Sequence, residues 1–405
     1  MLKIAVLGFG VVGSGTVELF YKNKKKIEEK SGQELDIKYI LDLRDFPDSP
    51  YNDKIVHDIN IIADDDEVSV IAEAMGGVEP AYSFTKLCLE RGKSVVSSNK
   101  ELVAQKGAEL LRIAMEHNRN YFFEASVGGA IPIIRPLHKC LAANDISEVT
   151  GILNGTTNFI LTKMFSESMS FDEALALAQK LGYAEKDPTA DVDGHDSCRK
   201  ICILASLVFG SHVFPKDIYV RGIRDVSSAD VLWAGKFGYE IKLVASVRRT
   251  ENGKILPFVS PMLVARENLL ASVDDVFNAV MVYGDAIDRV MFYGRGAGKF
   301  PTASAVVSDI IEAAKHERTV FSQFWTASEN TDFIENFSTL KTSFFVRMTG
   351  NEPAFASKFS IYENDGNEFV ALSDIMTVGQ FNAVIDELAE NGVKANSVIP
   401  VYCFE

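Results

Sequence analysis

Residues 182–200, which read GYAEKDPTADVDGHDSCRK, concentrate ionisable groups more densely than any other stretch of the chain. Five carboxylates lead into two basic residues: Glu185, Asp187, Asp191, Asp193 and Asp196, then Arg199 and Lys200. The apolar run that follows, ICILASLVFG, predicts a buried helix, and acids that run into a buried element must find partners there. Asp196 and Lys200 are four residues apart and share one helix face, which makes them a candidate pair for proton transfer. From spacing alone, a solvated acidic loop with a surface ion pair is the more common arrangement.

A second candidate site is the glycine motif near the start of the chain. Gly8, Gly10 and Gly13 form GxGxxG directly after a strand-like segment, and residues 13–30 that follow predict a single helix. That context predicts a dinucleotide-binding turn, in which the glycines let a pyrophosphate approach the N-terminus of a helix. The intervening residues of this candidate cofactor site are Phe9, Val11 and Val12. The alternative is an ordinary tight turn between a strand and a helix.

Asp42 and Arg44, at the end of the second predicted strand, bear on the choice between NAD and NADP. Asp42 falls where a carboxylate accepts from the ribose 2′-hydroxyl of NAD, whereas Arg44 is placed to hold the 2′-phosphate of NADP. The sequence leaves both cofactors open.

Two further segments carry candidate ligand groups. Lys100 follows the predicted strand KSVVSS, where it would lie beside the nicotinamide; a surface lysine is the alternative. The segment EASVGGAIP places Glu124 before two glycines, and such a segment can surround a monovalent cation with oxygens. A flexible turn between a strand and a helix is the alternative there.

Composition restricts the class of protein. The chain has 405 residues, 47% of them hydrophobic, which suits two or three domains with a large core. A net charge of −15 argues against a nucleic-acid or anionic-membrane surface. The five cysteines are scattered without zinc-type spacing, so we expect reduced thiols and a cytoplasmic protein. MLKIAVLGFG predicts a strand and not a signal peptide, and no apolar run reaches the roughly 18 residues of a membrane span.

The order of segments predicts an α/β protein with three parts. Residues 1–130 alternate strand-like and helix-like stretches, which is typical of a Rossmann-type doubly wound parallel sheet that binds NAD(P). Residues 131–293 predict an α+β domain, in which a helix over IIRPLHKCLAAND precedes the strand SEVTGIL and the loop NGTTN, and antiparallel strands follow residue 218. Within it, Ser170 and Glu173 have the spacing of a capping box, and the helix they open should stop at Gly182. A glycine loop, GRGAG, then begins a return segment to the first domain near 294–318.

These motifs together resemble homoserine dehydrogenase. The matching stretches fall in order over residues 1–315: GFGVVGSG, AMGG, SSNKELVA, EASVGGAIPIIRPL, GILNGTTNFIL, LGYAEKDPTADVDGHDSCRK and GRGAGKFPTASAVVSDI. The resemblance implies NAD(P)-dependent interconversion of L-homoserine and L-aspartate 4-semialdehyde, in threonine and methionine synthesis. It also implies that residues 131–293 are the substrate-binding and dimerisation domain and that the protein is a homodimer or homotetramer.

The resemblance assigns roles to particular residues of this chain. Lys200 matches the family's proton donor and acceptor, and Glu185 and Asp196 match the groups that hold the substrate. Lys100 matches the lysine beside the nicotinamide. Cofactor contacts are implied for Gly182 and Gly296. The implied sodium site consists of Glu124 with Val127, Gly129 and Ile131.

Some positions depart from the usual pattern. Ala130 stands where a third glycine is common, Arg295 replaces a common proline, and His195 replaces an apolar residue.

Two other functions remain open. An aspartate-semialdehyde dehydrogenase would need a cysteine nucleophile, for which Cys198 is the candidate. A regulatory protein that senses NAD(P) without turnover would have no need of Glu185, Asp196 and Lys200 together.

The end of the chain, residues 341–405, resembles the latter half of an ACT domain. KTSFFVRMTG predicts a strand, and the last part predicts strand, helix, turn at Gly392 and strand. The intervening residues 351–366 show no clear helix that begins at a glycine. We therefore expect a degenerate ACT-like tail that packs or dimerises and does not bind threonine.

Overall fold

The N-terminal part of the chain forms a six-stranded parallel sheet, as the alternation of its segments predicts. The computed structural model describes residues 1–317, 319–321, 324–328, 330–359 and 362–403. The strands are β1 (Leu2–Leu7), β2 (Leu35–Leu41), β3 (Ile55–Val56), β4 (Val68–Glu73), β5 (Ser94–Ser97) and β6 (Tyr121–Phe122). The strands lie side by side in the order β3-β2-β1-β4-β5-β6. The chain adds strands on one side of β1 and then, from β4, on the other side, so the switch point of the sheet lies between β1 and β4. Ligands bind at the carboxyl ends of the strands beside such a switch point.

Helices connect these strands. Two of them begin at the carboxyl edge of the sheet, one after the glycine turn and the other at Lys100. The helices are α1 (Val11–Lys22), α2 (Lys24–Ser31), α3 (Ile59–Ala63), α4 (Ala81–Glu90) and α5 (Lys100–Glu116). The single helix predicted over 13–30 is divided at Asn23, which ends α1 and precedes α2. The side chain of Asn99 accepts from the backbone N–H of Leu102 at 3.1 Å, so Lys100 becomes the first residue of α5.

The middle of the chain forms a second six-stranded sheet in the order β12-β11-β7-β9-β10-β8. Its strands are β7 (Ile146–Ile152), β8 (Tyr219–Val220), β9 (Tyr239–Arg249), β10 (Ile255–Ala265), β11 (Phe277–Gly284) and β12 (Asp288–Arg295). The predicted antiparallel pairing is confirmed for every pair except β8, which runs parallel to β10. Five helices accompany the sheet: α6 (Gly155–Ser166), α7 (Phe171–Lys180), α8 (Thr189–Val192), α9 (His195–Phe209) and α10 (Ser228–Lys236).

Local signals explain where these helices begin and end. Ser170 and Glu173 form the predicted capping box of α7, and Gly182 follows that helix with a φ of 77°. The apolar run after Lys200 is the predicted buried helix, since α9 is buried along most of its length. Gly194 and Gly210 bound α9 with left-handed φ angles of 83° and 76°.

Three sequence predictions for the middle segment need correction. NGTTN, predicted as a loop, contains the start of α6, because Asn154 accepts from the backbone N–H of Thr157 at 2.9 Å. The strand-rich stretch contains α10, opened by a capping box of Ser227 and Asp230. The helix predicted after residue 131 is reduced to a π-helical turn at Pro136–Cys140, whose proline lacks the N–H of a regular helix.

The chain then returns to the first sheet. Helix α11 (Lys299–Lys315) packs against α1, α2, β4 and β5, as the predicted return segment requires. Residue 318 of that segment, and residues 360, 361, 404 and 405 of the predicted tail, lie outside the described residues. Within the described residues, no helix is long and apolar enough to cross a membrane.

The main sheet and the helices of the C-terminal part follow the order β-α-β-β-α-β along the chain. Two further short strands form a separate two-stranded sheet. The elements are β13 (Lys341–Thr342), β14 (Phe344–Gly350), α12 (Glu352–Ala356), β15 (Tyr362–Asn364), β16 (Phe369–Leu372), β17 (Met376–Thr377), α13 (Val378–Glu390) and β18 (Val393–Pro400). The main sheet is antiparallel in the order β15-β16-β14-β18. The expectation of no clear helix in 351–366 is wrong, because α12 follows Gly350, whose φ is 113°. This helix has only five residues.

Candidate active site

A cleft of about 530 Å³ lies where the N-terminus of α5 meets the middle domain. The residues that line it are Lys100, Asn154, Gly155, Thr156, Gly182, Tyr183, Glu185, Asp187, Ala190, Asp191, Asp196, Arg199, Lys200, Val276, Asn278, Arg295, Ala297 and Gly298. Five of the sequence-predicted site residues are therefore together in one cavity: Lys100, Gly182, Glu185, Asp196 and Lys200.

The centre of the cleft is a carboxylate held between two ammonium groups. Lys200 Nζ lies 2.8 Å from Asp196 Oδ2, and it also donates to the backbone oxygen of Leu153 at 2.7 Å. Lys100 Nζ forms an ion pair with Asp196 Oδ1. Asp196 and Lys200 are only 3% and 6% exposed, so the alternative of a solvated surface pair is wrong.

Burial and charge shift the pKa of all three groups: the pKa is lowered for Lys200 and Asp196 and raised for Lys100. Burial lowers the pKa of Lys200, and the positive charge of Lys100 adds to that effect, although Asp196 opposes both. Burial would raise the pKa of Asp196, but the two lysines hold it well below its usual range. The charge of Asp196 in turn raises the pKa of Lys100. The site thus favours the neutral form of Lys200 more than water does.

Two residues that sequence reasoning did not assign complete the acidic side of the cleft. The side-chain amide of Asn154 donates to Asp191 Oδ1 at 2.7 Å and to Asp196 Oδ2 at 2.9 Å. Burial raises the pKa of Asp191, and the nearby charge of Asp196 raises it further. Both residues lie within motifs quoted for the family resemblance, but nothing in their spacing indicated that they meet.

Glu185 lies on the loop that follows α7, at the rim of the same cleft, and is exposed. Gly182 begins this loop in the left-handed conformation. The loop is tied down at two points: Thr156 Oγ1 donates to the backbone oxygen of Tyr183 at 2.8 Å, and Gln179 Nε2 donates to that of Glu185 at 3.1 Å. These bonds hold Glu185 over the opening of the cleft.

The first glycine turn has the close packing that a dinucleotide-binding turn requires. Gly8 has a φ of 92°, and a Cβ on Gly13 would lie 1.8 Å from the backbone oxygen of Gly8. Gly10 has open space beside it and precedes the N-terminus of α1. Of the remaining residues of the turn, Phe9 is buried, Val12 is half-buried and Val11 is exposed.

Asp42 and Arg44 interact with each other beside this turn. Asp42 accepts from the backbone N–H of Phe9 at 2.8 Å and from the guanidinium of Arg44 at 2.9 and 3.0 Å. The bonds from Arg44 lower the pKa of Asp42 to about 2. The Arg44 side chain is 64% exposed, so it is available to a ligand at the end of β2.

The second glycine loop joins the cleft to the first sheet. A Cβ on Gly296 would lie 1.9 Å from Asn278 Nδ2, and Gly296 itself does not line the cleft, unlike its neighbours Arg295 and Ala297. A Cβ on Gly15 of α1 would lie 2.9 Å from the backbone oxygen of Lys299, which begins α11. The loop therefore reaches from the cleft to the helix that follows the first glycine turn.

The predicted cation segment fits a cation only in part. The carboxylate of Glu124 already accepts from the backbone N–H groups of Ile133, Ile134 and Arg135 at 2.6 to 2.9 Å. By contrast, the backbone oxygens of the other three predicted ligands accept no hydrogen bond from the described residues. These three are Val127, Gly129 and Ile131. The three backbone oxygens are thus available as ligands, whereas the Glu124 carboxylate is already hydrogen-bonded.

Cys198 and His195 do not join the reactive groups. Cys198 is 3% exposed and its thiol lies 3.6 Å from the backbone oxygen of Pro215. Neither residue lines the cleft; both border a separate surface depression near Gln105.

Known proteins match the chain over nearly its full length. Residues 132–311 match the family described as homoserine dehydrogenase, and residues 8–124 match the homoserine dehydrogenase NAD-binding domain. Homoserine dehydrogenase of Bacillus subtilis is 36% identical over 397 residues, which is 96% of this chain and 90% of that protein.

Solved structures agree with these matches. The crystal structure of a homoserine dehydrogenase from Thiobacillus denitrificans has a TM-score of 0.92 and 31% identity, over 99% of this chain and 98% of that one. A hyperthermophilic archaeal homoserine dehydrogenase in complex with NADPH has a TM-score of 0.64 and 30% identity, over 77% of this chain and 97% of that one. The chain therefore belongs to the homoserine dehydrogenase family, whose members are NAD(P)-dependent oxidoreductases that interconvert L-homoserine and L-aspartate 4-semialdehyde.

Proposed function

We propose that the cleft binds the amino-acid substrate and that Lys200 carries the proton of the reaction. In the oxidative direction, Lys200 Nζ takes the proton from the homoserine hydroxyl as the carbon loses hydride, and in reduction it returns a proton to the aldehyde oxygen. NAD(P), which the glycine turn of Gly8, Gly10 and Gly13 would hold, would supply the hydride acceptor in its oxidised form and the hydride donor in its reduced form. The observation that carries this proposal is the burial of Lys200 against Asp196 in the wall of the cleft.

The carboxylates have divided roles in this proposal. Asp196 contacts two lysines and Asn154, so it orients the proton carrier as well as facing the substrate. Glu185 and Asp191 contact no lysine, and their charges suit the substrate ammonium. Lys100 holds the other oxygen of Asp196 from the side of the first sheet, where the nicotinamide is expected.

One assay tests the function directly. We expect purified protein to form NAD(P)H in the presence of L-homoserine, followed by absorbance with each cofactor. Absence of homoserine-dependent reduction would favour a protein that senses NAD(P) without turnover. The aspartate-semialdehyde dehydrogenase alternative has a separate test, because it loses activity in Cys198→Ser. Because Cys198 does not line the cleft and its thiol contacts the backbone oxygen of Pro215, we expect activity to survive this substitution.

For the cofactor, we propose use of both NAD(H) and NADP(H), with a modest preference for NADP(H). The exposed guanidinium of Arg44 supports this preference, since it can pair with a 2′-phosphate. The NADPH-bound archaeal relative is consistent with it. Asp42 opposes a 2′-phosphate with its own charge, but Arg44 already neutralises that charge in part.

A monovalent cation, for which sodium is the candidate, is proposed for the backbone oxygens of Val127, Gly129 and Ile131. Glu124 shapes this loop from inside, through its bonds to the N–H groups of 133–135. The loop also contacts the second glycine loop, since Ala130 N–H donates to the backbone oxygen of Arg295 at 3.1 Å. Activity measured in sodium and in tetramethylammonium salts tests whether the cation supports the cleft.

The C-terminal part is proposed to be an ACT-like module that packs on the middle sheet and does not bind threonine. Its first helix, α12, has only five residues. Millimolar L-threonine should leave the activity unchanged. Strong inhibition that disappears on deletion of 341–405 would show a working sensor. A homodimer or homotetramer and a cytoplasmic location stay predictions.

A further inference from the structure

Asn154 lines the cleft at a position where its side chain contacts residues of three helices. It precedes α6, and its carbonyl oxygen Oδ1 accepts from the backbone N–H of Thr157 at 2.9 Å and from its hydroxyl at 3.1 Å. The side chain is nearly buried, at 5% exposure. With Oδ1 turned towards the helix, the amide nitrogen must point the opposite way.

The amide nitrogen meets two carboxylates from two other helices. Its two hydrogens reach Asp191 Oδ1, on α8, and Asp196 Oδ2, on α9, at 2.7 and 2.9 Å. A reversed amide would set a carbonyl oxygen against both carboxylates, so the hydrogen bonds fix its orientation. Asn154 is thus a neutral donor placed between two acids that would otherwise repel each other.

The two acids have unequal access to positive charge. Asp196 contacts both Lys100 and Lys200, whereas Asp191 forms no ion pair among the described residues. Asn154 supplies a donor to Asp191 without adding charge, and so stabilises its ionised form. A lysine in the same place would neutralise the carboxylate that faces the cleft.

We propose that Asn154 is a positioning residue that fixes the separation of Asp191 and Asp196, so that Asp191 stays an ionised receptor for the substrate ammonium. This inference rests on the proposed function of the cleft as an amino-acid site. Asn154 would thus have a second role besides capping the N-terminus of α6. The hydrogen bonds that Asn154 gives act on substrate binding, and those it receives act on folding.

Two substitutions separate these roles, because serine and aspartate both cap helices well. Asn154→Ser keeps an oxygen for Thr157 but removes the amide donor. We expect KM for homoserine to rise by about 10- to 100-fold, the range for loss of a hydrogen bond to a charged group, with kcat much less affected. The dissociation constant of NAD(P)H, followed by fluorescence, should stay within about twofold because the cofactor does not contact Asn154 in this proposal.

Asn154→Asp adds a pH-dependent signature. Its carboxyl can donate to Asp191 only while protonated, and three clustered carboxylates keep one proton to higher pH than usual. The ratio of kcat/KM between this variant and wild type should therefore fall as pH rises, whereas the ratio for Asn154→Ser should stay flat. Asn336 is an exposed capping residue that accepts from Ser338 N–H at 2.9 Å. The same two substitutions at Asn336 should leave KM for homoserine and the dissociation constant of NAD(P)H unchanged.

The outcomes distinguish this inference from the proposed function. Wild-type protein without homoserine-dependent activity would remove the proposed function itself. With wild type active, KM values within threefold of wild type in both variants would overturn the inference. A loss of activity matched by lost cofactor binding and a lowered Tm would also overturn it, because Asn154 would then be only a helix cap.

Discussion

Lys200 and Asp196 stand one helical turn apart on α9, with Nζ 2.8 Å from Oδ2 and both side chains buried. A buried ion pair of this kind is weak evidence for stability, because desolvation offsets much of the attraction. Its place in the wall of the cleft gives it another use. The pair keeps an amine in a fixed position, with its pKa lowered by burial, in the first half of a helix whose residues after Lys200 are mostly apolar.

Replacement of the proton carrier should affect chemistry more than folding. Lys200→Ala is expected to lower kcat by about 10²- to 10⁴-fold, the usual share of a general acid or base, with NAD(P)H binding retained. Lys242→Met is a matched control, since Lys242 is also a buried, ion-paired lysine but lies in β9 away from the cleft. The control should lower Tm without lowering the turnover of the folded protein. A Lys200→Ala variant within threefold of wild type would remove Lys200 from the mechanism.

Loss of the carboxylate at the rim should act on substrate binding. Glu185→Gln keeps the size of the side chain but removes its charge, so KM for homoserine should rise while kcat changes little. We expect about a fivefold or larger increase, since a charge contact near the surface is worth about 1 kcal/mol. Glu251→Gln, at an exposed carboxylate outside the cleft, is the control and should leave KM unchanged. A pure kcat effect would mean that Glu185 acts in the chemical step.

The pH dependence of homoserine oxidation should report on Lys200 and its cationic neighbour. Oxidation needs neutral Lys200, so kcat should rise with pH through a pKa below that of an ordinary lysine, because burial disfavours its charged form. Lys100 lowers this pKa further. Lys100→Met removes a positive charge and leaves Asp196 less neutralised, and both changes raise the pKa of Lys200. The profile of the variant should therefore move to higher pH; an unmoved profile, or one displaced to lower pH, would contradict the assignment.

The choice between the cofactors should depend on Arg44. Arg44→Ala is expected to weaken NADP(H) binding by about tenfold and NAD(H) binding much less, because only NADP carries the 2′-phosphate. Arg91→Ala, which removes another exposed guanidinium paired with an aspartate, should affect neither cofactor. Kd values for the two reduced cofactors, measured by fluorescence, decide the matter. Equal weakening of both would show that Arg44 does not face the adenosine ribose.

Features that depend on neighbouring residues were predictable from the sequence. The strand Tyr239–Arg249 and the capping box of α7 follow from local alternation and spacing. The Lys200–Asp196 contact is likewise local, since residues four apart on a helix meet. The short helix α12 was missed because its sequence has too little apolar periodicity to indicate one.

Contacts between distant segments could not be obtained in this way. Asn154 is 37 and 42 residues from the two aspartates it binds, and only the packing of α8 against α6 and α9 brings them together. Lys100 reaches Asp196 from the other sheet for the same reason. The engagement of the Glu124 carboxylate by three backbone N–H groups also depends on how the chain turns after residue 131. Motif resemblance named several of these residues, but it did not give their partners.

Val401 and Tyr402 are anchored in the middle sheet, and this contact should stabilise the fold in a pH-dependent manner. Val401 pairs with Leu263 of β10, and the hydroxyl of Tyr402 donates to Glu148 Oε1 at 3.1 Å. Burial raises the pKa of Glu148, although Arg248 and the Tyr402 hydroxyl oppose that rise. The bond from Tyr402 therefore favours the ionised form of a buried carboxylate.

Tyr402→Phe removes this donor without changing the shape of the side chain. At pH values above the raised pKa of Glu148, where its carboxylate is ionised, we expect a loss of about 1.5–3 kcal/mol in the free energy of unfolding, the range for a hydrogen bond to a charged group. The loss should shrink as pH falls through the raised pKa of Glu148, because the protonated carboxyl depends less on a donor. Denaturant unfolding at several pH values measures it, with Tyr293→Phe, at an exposed tyrosine of β12, as the control. A loss that is constant with pH would mean that Tyr402 stabilises the junction through packing and not through Glu148.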